Sequence, residues 1–76
     1  MRTLLTQVLA LYEEALRIQP ALAEIRVNYG RYLEKLGRLD VAAAQYAQAA
    51  REQPALETAH YNLGTAYLRQ GDLARA

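Results

Sequence analysis

Apolar residues recur at helical spacing in four segments of the chain, with polar residues between them. In the first segment Leu5, Val8, Leu9 and Tyr12 follow an i, i+3, i+4, i+7 pattern, which places them on one face of a helix. The second and fourth segments repeat that spacing, and the third is rich in alanine, the strongest helix former. The pattern predicts helices over residues ~4–19, ~22–36, ~39–53 and ~56–70, followed by one helical turn that begins at Asp72.

Proline and glycine divide these predicted helices. Pro20 and Pro54 cannot continue a helix, because proline lacks an N–H and its ring clashes with the preceding turn. Gly37 and Gly71 follow the last apolar turns of the second and fourth helices, where a left-handed cap favours glycine. Asp72 is then placed to cap the closing turn. Connections this short predict that neighbouring helices are antiparallel.

The sequence matches itself when it is shifted by 34 residues. Of the 42 residue pairs compared, 14 are identical, and the alignment needs no gap. The clearest copy is VNYGRYLEKLGRLDVA, starting at Val27, which returns as YNLGTAYLRQGDLARA, starting at Tyr61. A unit of two helices cannot bury its apolar face alone, so successive units are expected to stack.

The motif residues of this unit resemble those of the tetratricopeptide repeat family, whose unit has the same 34-residue length. The complete unit carries the family's positions at Gly30, Leu33, Gly37, Ala42, Tyr46, Ala49 and Pro54, the next unit at Gly64, Tyr67, Gly71 and Ala76, and the opening helix at Tyr12, Ala15 and Pro20. The resemblance implies an all-α fold, a right-handed α-solenoid of antiparallel helix pairs with about four helices and a C-terminal stub.

The resemblance also implies how the chain divides into units. Residues 1–76 form a single domain, in which 1–20 is the second helix of a partial repeat, 21–54 is a complete repeat and 55–76 is a truncated repeat. Arg26 and His60 stand where the family often has an aromatic residue or leucine, which predicts a looser contact between units.

The resemblance further implies a concave face lined by the first helix of each unit. By position in the unit, that face would also include Glu24, Glu34, Thr58 and Leu68, and the residues predicted to contact a partner are Val27, Asn28, Arg31, Lys35, Tyr61, Asn62, Thr65 and Arg69. The expected function is that of a protein–protein interaction scaffold, which holds a peptide or helix of a protein partner in this concave groove.

Three positions of this face bear on the kind of partner. Asn28 and Asn62 lie one repeat apart, and carboxamides could form a ladder with an extended peptide, or bond instead to a neighbouring helix or solvent. Tyr61 is predicted to be an aromatic anchor, since tyrosine is enriched at binding hot spots, or else an ordinary exposed helix residue. Some family members clamp a C-terminal carboxylate with lysines, but Glu24 and Val27 occupy lysine positions here, so this clamp is not expected.

The two ends of the pattern are predicted to expose apolar surface. The pattern starts with a second helix and stops one turn into another, so each end lacks a packing partner. The end residues would be Leu4, Leu5, Leu9, Leu63 and Tyr67. Either the chain is a fragment of a longer repeat array, or it is a homo-oligomer, a self-assembly module whose copies associate head-to-tail or by helix exchange.

Composition limits the other classes of function. The net charge is +1, and no apolar run is long enough for a membrane helix, so neither nucleic acid nor membrane is an expected partner. The chain has no Ser or Cys and only one histidine, His60, so no catalytic, cofactor or metal site is expected. A cytoplasmic location is expected, with the periplasm as the alternative, and eight Arg to one Lys points to a bacterial source.

Overall fold

Four helices joined by short turns follow one another along the chain. The computed structural model describes the backbone of residues 4–75 and the side chains of residues 4–72. The helices are α1 (Leu4–Ile18), α2 (Ala23–Lys35), α3 (Leu39–Glu52) and α4 (Glu57–Arg75). No strand occurs in the described range, so the predicted all-α class is confirmed. The first three helices begin and end within one residue of their predicted bounds.

The turn between α2 and α3 is built on Gly37, as predicted. Gly37 has a φ of +77°, a left-handed conformation that a residue with a Cβ rarely adopts. Its N–H donates to the carbonyl of Glu34 at 2.9 Å, and the N–H of Arg38 donates to the carbonyl of Leu33 at 3.0 Å. These two bonds form a Schellman motif, which satisfies carbonyls at the end of α2 and turns the chain back on itself.

The predicted turn at Gly71 and Asp72 is wrong. α4 continues through both residues to Arg75, and Gly71 has no positive φ, so the predicted stub is part of α4 and Asp72 caps no new helix. At Gly37 the turn is held by the packing of α3 on α2, but only four described residues follow Gly71. Continuing the helix keeps its hydrogen bonds, and a glycine inside it costs only about 1 kcal/mol. Ala76 lies outside the described residues.

The hydrophobic core lies between α2 and α3 and extends to α1 and α4. Its buried members are Leu9, Ala23, Val27, Leu33, Ala42, Ala43, Tyr46, Ala49, Ala59 and Ala66. A Cβ placed on Gly30 would lie 2.5 Å from the ring of Tyr46, so glycine is what allows α3 to approach α2 this closely. Small residues thus bring the helices together, and the Tyr46 ring fills the space between them.

The helix contacts define two faces of the molecule. α2 contacts each of the other three helices, whereas α3 contacts α2 and α4, and α1 contacts α2. The first helices of the two successive units, α2 and α4, therefore lie side by side. The second helices, α1 and α3, pack against them from the other face.

Candidate binding groove

A groove runs between α2 and α4. Its largest cleft has a volume of about 530 Å³, and two smaller clefts of about 340 and 220 Å³ lie beside it along α2. The largest cleft is lined by Glu24, Val27, Asn28, Arg31, Leu56, Thr58, Tyr61 and Asn62. This volume lies within the range of roughly 300–1,000 Å³ that is typical of ligand sites.

The structure brings seven of the eight predicted groove residues to these clefts. The seven are Val27, Asn28, Arg31, Lys35, Tyr61, Asn62 and Arg69. The eighth, Thr65, lines none of them, and its hydroxyl donates to the carbonyl of Tyr61 at 3.0 Å. The prediction for Val27 also needs correction. Val27 lines the cleft, but it is buried in the core and forms the floor of the cleft instead of an exposed contact.

Asn28 and Asn62 are one repeat apart but are not equally available. The Nδ2 of Asn62 donates to the carbonyl of Thr58 at 2.7 Å, so one amide proton is used within its own helix. The second amide proton and the Oδ1 of Asn62 remain for a ligand. Asn28 is half-buried and its side chain makes no hydrogen bond with another described residue, so its whole carboxamide is available.

Glu34 joins three helices at the end of the groove. Its Oε1 accepts a hydrogen bond of 2.6 Å from the hydroxyl of Tyr46 on α3, and its Oε2 pairs with Arg69 of α4. Burial raises the pKa of the Tyr46 hydroxyl well above its ordinary value, and the bond to the Glu34 carboxylate adds to the shift. Both oxygens of Glu34 therefore serve the packing of the helices, and its charge is balanced by Arg69.

Two basic residues of the groove have no acidic partner in the part of the chain that the structure describes. The Nζ of Lys35 lies 4.8 Å from the centre of the Tyr32 ring, a cation–π contact. The guanidinium of Arg31 makes no hydrogen bond or ion pair with another described residue, although Arg31 lines all three clefts. Since Arg69 neutralises Glu34, this part of the groove presents the positive charge of Arg31 and Lys35 to solvent.

Comparison with known families agrees with the helix pairs and the small residues at their contacts. The model of the tetratricopeptide repeat matches residues 6–57 and, in an overlapping placement, residues 30–76. This chain belongs to the tetratricopeptide repeat family. Tetratricopeptide repeats generally mediate protein–protein interactions and are typically not catalytic.

Two plant proteins are similar to this chain over nearly all of its length. The inactive TPR repeat-containing thioredoxin TTL3 of Arabidopsis thaliana is 35% identical over 71 residues, which cover 93% of this chain and 10% of the relative. The TPR repeat-containing thioredoxin TTL4 of the same plant is 34% identical over 70 residues, which cover 92% of this chain and 10% of the relative. The chain thus spans about a tenth of the length of these curated relatives. No solved structure matches it significantly.

Arg26 joins α2 to α3 through hydrogen bonds, although a looser contact was predicted at this position of the repeat. From α2, Arg26 donates through Nη1 to the Oε1 of Gln45 at 2.8 Å and through Nε to the Oε1 of Glu52 at 3.3 Å, both on α3. Its Nη2 donates to the carbonyl of Pro20, which lies in the turn between α1 and α2. The Arg26–Glu52 pair is largely shielded from solvent, so the predicted loosening does not describe this residue.

The predicted end residues fall into two groups. Leu4 and Tyr67 are exposed and Leu5 is half-buried, as unpartnered apolar positions would be. Leu9 and Leu63 need correction: Leu9 is buried where α1 packs on α2, and Leu63 packs against the core. Helical periodicity placed these apolar residues on the faces of their helices. It did not show which side of each helix is covered by a neighbouring helix.

Sequence reasoning missed three residues of the groove. Leu56 lines the largest cleft from the turn before α4, and its identity with Leu22 one repeat earlier is the signal that could have drawn attention to it. Tyr12 and Tyr32 line the smallest cleft, with ring centres 5.6 Å apart. Their contact depends on how α1 packs on α2, for which the sequence carries no local signal.

The described residues contain no group of three or more His, Cys, Asp or Glu arranged to hold a metal ion. In that same range none of the helices combines the length and apolar character needed to cross a bilayer.

Proposed function

We propose that the groove between α2 and α4 binds an extended peptide or a helix of a protein partner. The observation that carries this proposal is Tyr61, whose side chain is 75% exposed and borders the largest cleft. Leu56 and the buried Val27 give that cleft an apolar floor beside the ring. A large aromatic side chain next to an apolar cleft with a few polar groups is typical of a binding hot spot.

The polar residues of the groove limit the chemistry of the partner. Asn28 offers a free carboxamide, and Asn62 offers part of one, to the backbone of a bound peptide. Arg31 and Lys35 favour an acidic side chain, because neither has an acidic partner among the described residues. The expected ligand therefore places an apolar or aromatic residue against Tyr61 and an acidic residue near Arg31.

Peptide selection followed by affinity measurement tests this function. Random peptides displayed on phage would be selected on the chain, and the dissociation constants of the selected peptides measured by fluorescence polarisation. Tyr61→Ala is expected to weaken binding about tenfold or more, as loss of a hot-spot residue does. Tyr67→Ala is the matched control, because Tyr67 is an exposed tyrosine of the same helix that lines none of the clefts, and it should leave affinity within about twofold.

The selected sequences give a second reading of the same experiment. Enrichment of acidic residues, and loss of affinity for those peptides with Arg31→Ala, would support the expected ligand chemistry. Peptides that bind Tyr61→Ala as tightly as the wild-type chain, or a selection that yields no binder, would contradict binding in this groove.

Self-association is a second candidate function, and a separate observation favours it. Seven large hydrophobic side chains are exposed among the described residues, and all but Val41 lie on the outermost helices. They are Leu4, Leu11 and Ile18 on α1, and Tyr61, Tyr67 and Leu68 on α4. Apolar surface concentrated on two helices is typical of an interaction surface.

A further inference from the structure

The outer helices α1 and α4 repeat residues that form the interface between α3 and α2. In the structure, only the α2–α3 copy of this interface is packed. On α3, Ala42, Tyr46 and Ala49 are fully buried against their neighbours. The residues one repeat earlier on α1 are Val8, Tyr12 and Ala15, and all three remain partly exposed. Tyr12 and Ala15 are identical to their α3 counterparts and Val8 replaces Ala42, but among the described helices α1 contacts only α2.

α4 shows the complementary surface. On α2, Gly30 and Leu33 are buried under α3, and the Tyr46 ring lies against Gly30. The residues one repeat later on α4 are Gly64 and Tyr67, and both are exposed. A Cβ on Gly64 would meet nothing within 4 Å, so the site that Tyr46 fills on α2 is open on α4.

The residues that border the α2–α3 contact are replaced together at the repeated positions of α4 and α1. On α2, Arg26 needs the polar partners Gln45 and Glu52 of α3. At the repeated positions α4 has His60, and α1 has Leu11 and Ile18, both of them exposed. The basic residue and its polar partners have thus changed together to a less polar set.

His60 itself has a partner within its own chain. Its Nε2 lies 2.8 Å from the carbonyl oxygen of Pro54, so it can be covered without losing that bond. Leu68 stands at the position of Glu34, which binds the Tyr46 hydroxyl in the complete pair. The Tyr12 hydroxyl would therefore need water in place of that carboxylate, whereas Leu11 and Ile18 of α1 and Leu68 of α4 give both open faces apolar surface.

We propose that α4 of one molecule packs against α1 of a second copy of this chain, in the register that α2 and α3 adopt within one molecule. The Tyr12 ring of the second copy then lies on Gly64 of the first, as Tyr46 lies on Gly30. Leu11 and Ile18 cover the side of α4 that carries His60. This inference deepens the second candidate function, self-association, and is independent of peptide binding in the groove.

The interface is heterologous, because it joins two different faces of the chain. Each added copy leaves one α1 face and one α4 face open, so assembly continues as a chain unless its rotation closes a ring. The average mass in solution is therefore expected to rise steadily with protein concentration instead of stopping at a dimer.

Gly64→Ala tests the register of this contact. The new Cβ meets nothing within 4 Å in the monomer. In the proposed interface it would clash with the Tyr12 ring of the second copy, just as a Cβ on Gly30 would clash with the Tyr46 ring. Association, measured by sedimentation equilibrium from about 1 µM to about 1 mM, is expected to weaken about tenfold or more. Gly71→Ala is the matched control, because it adds the same group to the same helix, and a Cβ at the corresponding Gly37 would meet nothing within 4 Å. It should leave association unchanged.

A mixing experiment tests the head-to-tail direction. Leu11→Lys places a charge on the α1 face, at a side chain 73% exposed in the monomer, and leaves the α4 face intact. Gly64→Ala blocks the α4 face and leaves the α1 face intact. Each variant alone is expected to remain close to the 8.5 kDa monomer mass, whereas an equimolar mixture should form a dimer of one copy of each. Circular dichroism of each dilute variant checks that the helices are retained.

Several outcomes would overturn the inference. A wild-type mass that stays at 8.5 kDa over the whole concentration range would show that a second copy is not the occupant of these faces. Equal weakening by Gly64→Ala and Gly71→Ala would contradict the register, and a mixture that stays monomeric while the wild type associates would contradict the direction. Leu11 and Gly64 line none of the groove clefts, so peptide binding can fail or succeed independently of these results.

Discussion

The contact between α2 and α3 and the outer faces of α1 and α4 have related sequences but different surroundings. Tyr46 has no exposed surface, and its ring fills the space above Gly30. Tyr12, at the same position one repeat earlier, is only half-buried, and Gly64 faces open space. Because the residue types are the same, the difference comes from the presence or absence of a packed helix. A repeat motif therefore specifies what a position can contact, and its neighbours decide how much that position stabilises the fold.

The largest expected contrast is between the two tyrosines. Tyr46→Ala removes a fully buried ring and is expected to cost about 3–5 kcal/mol, which is most of the roughly 5 kcal/mol of stability expected for so small a domain, so that up to about half of the molecules would be unfolded. Tyr12→Ala removes a half-buried ring whose aromatic neighbour is Tyr32, and is expected to cost only about 1 kcal/mol.

Urea denaturation of both tyrosine variants, at concentrations where the chain is monomeric, checks this contrast. Similar losses of unfolding free energy for Tyr46→Ala and Tyr12→Ala would mean that the end of the molecule is as well packed as its middle.

Two glycine substitutions should change stability in opposite directions. Gly30→Ala places a Cβ 2.5 Å from the Tyr46 ring, which its burial and its bond to Glu34 hold in place. The substitution is expected to lower the unfolding free energy by a net value of roughly 1–2 kcal/mol, after the gain in helix propensity is included. Gly64→Ala adds its Cβ to open space, and is expected to stabilise the monomer by up to about 1 kcal/mol through helix propensity alone. Thermal unfolding of the dilute variants measures both, and a loss of stability with Gly64→Ala would contradict the open site.

The smallest effect is a dependence of stability on alkaline pH. The pKa of Tyr46 is raised in the folded chain, so between its unfolded and folded values the folded state keeps a proton that the unfolded state has lost. The stabilisation is complete below about pH 10, which is near the ordinary tyrosine pKa, and it is lost progressively as the pH rises above that value. At about pH 10.5 the expected loss is below about 1 kcal/mol.

Tyr46→Phe is the control for this pH effect. It should remove most of the decline, leaving the smaller part due to Tyr29, whose pKa is raised by burial and by the nearby Glu13. A decline that is unchanged in Tyr46→Phe would show that the Tyr46–Glu34 pair is not its source.

The groove was more predictable in its membership than in its detail. Seven predicted residues line the clefts, because their positions in the repeat place them on one side of the first helices. The sequence did not show that Val27 lies beneath the surface, or that an amide proton of Asn62 is used by the carbonyl of Thr58. Such details depend on the depth of packing and on side-chain rotamers, and neither follows a sequence period.

The sequence by itself determined the repeated pair of helices, the prolines that end the second helices, and the small residues that let helices approach. These features follow from local rules, namely the helical period of apolar residues and the restricted backbones of proline and glycine. Only the tertiary structure decided that Gly37 forms a turn while Gly71 continues a helix, and that Leu9 is covered while Leu11 is exposed. The reason is physical: a turn or an apolar face is fixed only when another helix packs against it, and residues far apart in the chain supply that helix.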